Sequence, residues 1–235
     1  MKQNFSPTVI NLGGSIVAPD DINVEYLKQL RQFLLPYVHN GHKFVIVVGG
    51  GHVARVYQKA AADIVSTISN DDKDWLGIHA TRINAHLLRT IFVDVCYPVV
   101  LDDPYKEISD EDLEKYGLFI GSGVRPGHST DFCTVQLAHR FGVSHFLTAT
   151  VVPFVYDKDY KKYPDAKIIY DLSWEDYSKI IEDQWTPGMK VPVDPVAAKE
   201  AQEHGMSCYL LQGTHLDNVK KYLNNETYQG SVIHP

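Results

Sequence analysis

Apolar residues follow two rhythms along this chain. Short unbroken runs at 8–12, 44–48, 97–101, 117–120, 145–148, 207–211 and 230–233 predict strands. The run at 44–48, Phe-Val-Ile-Val-Val, is apolar at every position, as in a parallel strand covered on both faces. Between these runs, apolar positions recur every three or four residues, which predicts helices. Leu27, Leu30, Leu34 and Val38 mark a helix over 24–38, and another runs to about Val65. Ile78, Leu88 and Ile91 mark one over 75–92; Phe132, Val135, Ala138 and Phe141 mark a third face. Further helices are predicted at 173–181, at 194–204 with Asp194 as cap and Pro195 in the first position, and at 216–222. Polar, turn-rich segments at 66–73, 157–165 and 185–193 read as loops. Strands alternating with helices imply an α/β class: one mainly parallel sheet with helices on both faces. No repeat or linker interrupts the pattern, so residues 1–235 read as one domain.

Ligands of such sheets bind beyond the carboxyl ends of the strands, and three glycine turns fall there. They are Gly13-Gly14-Ser15, Gly49-Gly50-Gly51, and the loop 121–131 that contains Gly121, Gly123 and Gly127. The spacing matches neither a Walker A loop nor a G-x-G-x-x-G fingerprint. Glycine turns feeding helix N-termini can cradle an anion, and Arg55, one turn into its helix, can offer a phosphate a two-pronged contact. A turn that needs glycine only for packing fits the same residues. Ser129, Thr130 or Asp131 can cap the helix that follows the third loop. Gly77, Thr81, Asn84 and Leu88 share one helix face, small and polar enough either for a helix contact or for a ligand to come close.

Charge and composition narrow the chemistry. A formal charge of −7 speaks against a nucleic-acid polymer as partner, although a local cation can still bind a nucleotide. No apolar run is long enough for a membrane span, and no basic patch with an apolar core opens the chain, so neither a membrane segment nor a signal peptide is expected. Cys96, Cys133 and Cys208 form no zinc or redox spacing, which fits a reducing compartment and a cytoplasmic protein. The 11 histidines show no metal-ligand pattern, and no metal site is read from them.

Taken in order, N-L-G-G-S (11–15), V-V-G-G-G-H-V-A-R (47–55), D-W-L-G-I-H-A-T-R-I-N-A (74–85), R-P-G-H-S-T-D (125–131) and V-D-P-V-A-A-K (193–199) resemble the archaeal-type uridylate (UMP) kinases of the amino-acid kinase superfamily. The resemblance covers nearly the whole chain. It implies a three-layer α/β/α sandwich, Mg²⁺ and ATP as cofactors, UMP as acceptor, and a homo-oligomer, commonly a dimer-based hexamer. The acceptor part would span about 1–145 and the donor part about 146–235. Gly50, Gly51 and Arg55 resemble the residues that hold the UMP phosphate. Asp74, Gly77, Thr81 and Asn84 resemble those that enclose the nucleoside, and Gly123 to Thr130 the loop closing over the monophosphate. Asp131 resembles the carboxylate that orders the catalytic centre, and Gly13, Gly14 and Ser15 the turn facing the transferred phosphoryl group.

Two departures bear on the donor. Many superfamily members carry lysine two residues before the first glycine pair, where this chain has Asn11. The usual T-N-V-D-G-V-Y becomes Thr150-Val151-Val152-Pro153-Phe154-Val155-Tyr156, and the later D-P becomes Asp159-Tyr160. The donor candidates are therefore Gly13, Gly14, Thr150, Tyr156 and Asp159, with Lys190 and Lys161 or Lys162 available to neutralise phosphates. A kinase with an altered donor pocket is the leading reading. A protein of the same fold that binds a nucleotide or oxyanion without transferring phosphate, or a kinase for another small phosphate, is the alternative.

Overall fold

A computed structural model describes residues 5–182, 184, 186, 189 and 191–235. The chain opens with β1 (Thr8–Leu12), the short helix α1 (Gly14–Val17) and α2 (Val24–His39). β2 (Phe44–Val48), α3 (Gly51–Ile64), α4 (Asn70–Ile91), α5 (Asp110–Lys115) and β3 (Leu118–Gly121) follow. Then come α6 (Thr130–Arg140), β4 (His145–Thr150), the small hairpin β5 (Val155–Tyr156) and β6 (Ile168–Ile169), β7 (Asp171–Ser173) and α7 (Trp174–Ser178). The last elements are α8 (Pro195–Glu203), β8 (Ser207–Gln212), α9 (Leu216–Leu223) and β9 (Ser231–His234).

Seven strands form one sheet in the order β3-β2-β1-β4-β8-β9-β7, parallel except between β8 and β9. Side-chain alternation sorts each strand between two cores. Val9, Val45, Val47, Phe119 and Phe146 pack with α6, α7 and α8 on one face. Ile10, Leu12, Phe44, Ile46 and Val48 pack with α1, α2, α4 and α9 on the other. The three-layer sandwich is present, and β2 is buried at every residue, as its composition predicts.

Two local readings differ. Residues 97–101 form only isolated parallel bridges, Cys96 to Leu118 and Leu101 to Gly121. Tyr97 donates to Leu118 O and Leu101 to Ile120 O, four residues advancing against two, so the segment around Pro98 bulges away and no continuous ladder forms. The 66–73 loop ends early, because Ser69 accepts the Asp72 amide at 3.0 Å and α4 begins at Asn70. That serine with an acid three residues on was a helix-start signal inside a polar stretch. The predicted loop at 185–193 lies partly outside the described residues.

Candidate functional site

The first two glycine turns, at the carboxyl ends of β1 and β2, are packed backbone on backbone. A Cβ on Gly14 would fall 2.2 Å from the Gly51 nitrogen. One on Gly51 would fall 2.4 Å from the Gly14 oxygen, and its φ of +65° is a conformation that favours glycine. Packing therefore explains these two glycines. Across the same contact the exposed Arg55 reaches back from α3 to the Ser15 hydroxyl (3.2 Å) and the Pro19 carbonyl (3.5 Å).

The polar face of α4 fastens the glycine loops. Asn84 Nδ2 donates to the Gly49 carbonyl at 2.8 Å. Thr81 Oγ1 donates to Ile78 O at 2.7 Å and accepts the Gly123 amide at 2.8 Å. The Gly127 amide donates to Asp74 Oδ2 at 2.7 Å. Gly77 is instead a helix contact, since a Cβ there would meet Gln58 Nε2 of α3 at 2.9 Å. Gly50 rests on α4 as well, where a Cβ would meet the Ala80 Cβ at 3.3 Å. The helix-contact reading of this face has a physical basis at Gly77, while Asp74, Thr81 and Asn84 hold the loops beside the turns.

A cavity of about 190 Å³ opens next to the first turn, lined by Gly13, Asn11, Thr130, Asp131, Thr150 and Asp194 among others. Three elements converge on it. Asn11, near the end of β1, donates through Nδ2 to Asp131 Oδ1, and the Asp194 amide donates to Asp131 Oδ2 at 3.0 Å. Ser129 caps α6 by accepting the Phe132 amide and donates to Asp194, which in turn caps α8 through the Val196 and Ala197 amides. Removal from water, then the neighbouring Asp194 charge, pushes the Asp131 carboxyl up to about 7. Burial also raises Asp194, with the Ser129 hydroxyl and the two capping amides opposing it. The sequence reading gave Asp194 a capping role and Ser129 a cap or a place in the 123–130 loop, and did not single out Thr148, which also lines the cavity.

The oxygens here suit a hard cation such as Mg²⁺: two carboxylates, hydroxyls, and a buried Asn11 Oδ1 without a partner. Among the described residues no three His, Cys, Asp or Glu side chains converge as a metal site, here or elsewhere. All three cysteines are buried and free, and burial pushes each thiol up to about 12, which makes them packing residues.

The donor candidates are divided. Gly13 and Thr150 line the cavity, while Tyr156 and Asp159 lie outside its lining. Tyr156 stacks on Tyr160 at 4.8 Å, and the Phe154 ring meets Tyr170 edge-on at 5.5 Å. Asp159 closes a turn by accepting the Lys161 amide, which, with the Lys162 ammonium, holds its carboxyl below the usual range. Lys190 lies outside the described residues.

Residues 6–212 match the Amino acid kinase family. The chain belongs to that family. Along nearly its full length, this family member is similar to uridylate kinases from archaea. It is 32% identical to the one from Thermococcus kodakarensis over 97% of this chain and 99% of the relative. It is 33% identical to the one from Thermococcus gammatolerans over the same shares. The crystal structure of uridylate kinase from Archaeoglobus fulgidus superposes with a TM-score of 0.78 at 29% identity, over 96% of this chain and 100% of that one. The UMP kinase from Bacillus anthracis, at 21% identity and a TM-score of 0.77, shares the fold.

Proposed function

We propose that the protein is a nucleoside monophosphate kinase that transfers the terminal phosphoryl group of ATP to UMP. The observation that carries this is a shared wall. Gly13 lines the carboxylate cavity, Gly14 packs on the acceptor turn, and Ser15 bonds Arg55. Consecutive residues of one turn thus separate an anion cradle from a carboxylate-lined cavity, which fits two phosphates meeting across that wall. Phosphoryl transfer needs positioning and charge stabilisation more than covalent help.

In this reading Arg55 holds the acceptor phosphate and the Gly50–Gly51 turn offers it backbone. Asp74, Thr81 and Asn84 keep the loops around the nucleoside in place, and the 123–130 loop closes over the monophosphate. Asp131 and Asp194 face the donor phosphates, where they would hold Mg²⁺ if it is bound. Bound Mg²⁺ supplies neutralisation of the developing phosphate charge. The apolar face exposed by α3 and α4, with Tyr57, Ile64 and Ile83 at its surface, fits the expected dimer-based hexamer. Light scattering on the purified chain reads its mass, and a monomer removes that part.

A coupled assay with UMP, CMP or dUMP as acceptor and ATP or GTP as donor tests the kinase. ADP or GDP should form with UMP, and no turnover with any pair removes the reading. The exposed Val151, with Pro153 and Phe154 after it, where the family carries Asn, Asp and Gly, favours one second reading: a nucleotide-binding protein without transfer. Calorimetry that finds UMP binding but no Mg-ATP binding would select it.

A further inference from the structure

Asn11 is 4% exposed, and its two amide atoms have different fates. Nδ2 donates to Asp131 Oδ1, while Oδ1 has no hydrogen-bond partner. Nδ2 is the amide atom that faces Asp131, the orientation an ionised carboxylate requires because it only accepts. A buried carbonyl oxygen without a donor is uncommon and calls for a ligand. Its surroundings say which. The cavity beside it presents the carboxylates of Asp131 and Asp194 and the hydroxyls of Ser129, Thr130, Thr148 and Thr150. No Lys, Arg or His among the described residues lines it. A water could satisfy Oδ1; a divalent cation would satisfy it and also neutralise the two neighbouring carboxylates, beside which His128, outside the lining, is the positive group that acts on Asp194 among the described residues. At about 190 Å³ the cavity has room for an ion together with waters, each of which takes about 30 Å³.

We propose that the protein itself binds a hard divalent cation of the Mg²⁺ class here, before any nucleotide arrives, through Asn11 Oδ1 and the Asp131 carboxylate. Hydroxyls and waters complete an all-oxygen shell, the set that suits Mg²⁺ or Mn²⁺ and not zinc. The cation occupies the side of the first glycine turn that faces the carboxylates. Its use in catalysis rests on the kinase reading; its binding does not.

The probe is Mn²⁺, titrated into EDTA-treated, nucleotide-free protein and followed by electron paramagnetic resonance. One Mn²⁺ per chain should bind, displaced by Mg²⁺ and not by an equal concentration of K⁺. Asn11→Lys brings its own cation and should weaken Mn²⁺ by at least about tenfold, the low end for losing support at a metal site. Asn11→Asp adds a carboxylate. It should melt lower than wild type without metal, recover more on adding Mg²⁺, and bind Mn²⁺ about tenfold tighter or better. Should Asn11→Lys not fold, Asn11→Asp decides alone. Absent Mn²⁺ binding, displacement by K⁺, or Asn11→Asp binding no tighter than wild type overturns the site. Calorimetry with UMP on the same preparations reports the acceptor reading separately, so either can fail without the other.

Discussion

Arg55 gives the sharpest test of the acceptor site. Its guanidinium is exposed, and both its contacts are long bonds to neutral oxygens, 3.2 Å to Ser15 Oγ and 3.5 Å to the Pro19 carbonyl. Such bonds contribute little to the fold, so Arg55→Ala should change unfolding free energy by no more than about 0.5 kcal/mol. A phosphate in the same place would replace them with charge-assisted hydrogen bonds. Removing a bond of that kind costs about 1.5–3 kcal/mol, roughly a tenfold to hundredfold rise in the UMP dissociation constant. Arg55→Lys should recover only part, because an ammonium cannot make the two-pronged contact. Uridine lacks the phosphate and should bind wild type and Arg55→Ala alike. Calorimetric titration of both ligands into both proteins, with urea unfolding as a control, separates phosphate recognition from stability. An Arg55→Ala protein that binds UMP as tightly as wild type refutes the assignment.

Two further outcomes follow from the loops and the carboxylates. Thr81→Val keeps the shape but removes the acceptor of the buried Gly123 amide, so stability should fall by about 1–3 kcal/mol and that amide should lose its hydrogen-exchange protection; a change within about 0.5 kcal/mol would show the bond to be dispensable. In metal-free protein, Asp131 holds its proton up to about 7 when folded and releases it near its ordinary 3.8 when unfolded. The folded state therefore binds more protons between those values, and stability should fall as pH rises from about 4 to about 7. Asp131→Asn should flatten that fall in urea titrations run in EDTA, and equal slopes for both proteins would contradict the burial argument.

The strands and long helices were legible because each carries its own period. β2 is five apolar residues buried on both faces, and α2 shows Leu27, Leu30 and Leu34 on one side. Where the local signal was a single residue, the reading slipped. Pro98 sits in a run that otherwise looked like a strand, and Ser69 started a helix inside a polar segment. The site was legible as motifs but not as contacts. Nothing local in Asn11 tells that its amide meets Asp131, 120 positions away, or that Ser129 meets Asp194, 65 away. The glycines were the hardest case. Their spacing suited an anion cradle and a packing turn equally, and the approach of Gly14 to Gly51, which only the fold brings about, shows the packing.

That approach also limits what the protein can do when ligands arrive. With Gly14 and Gly51 in backbone contact and β1 laddered to β2 residue for residue from Thr8–Phe44 to Leu12–Val48, the two turns form a single solid piece. The spacing of the two turns is set when the chain folds, not when a ligand binds. They cannot spread without tearing the centre of the sheet, so any adjustment on binding falls to the exposed Arg55 side chain, the 123–130 loop and the segment after β4.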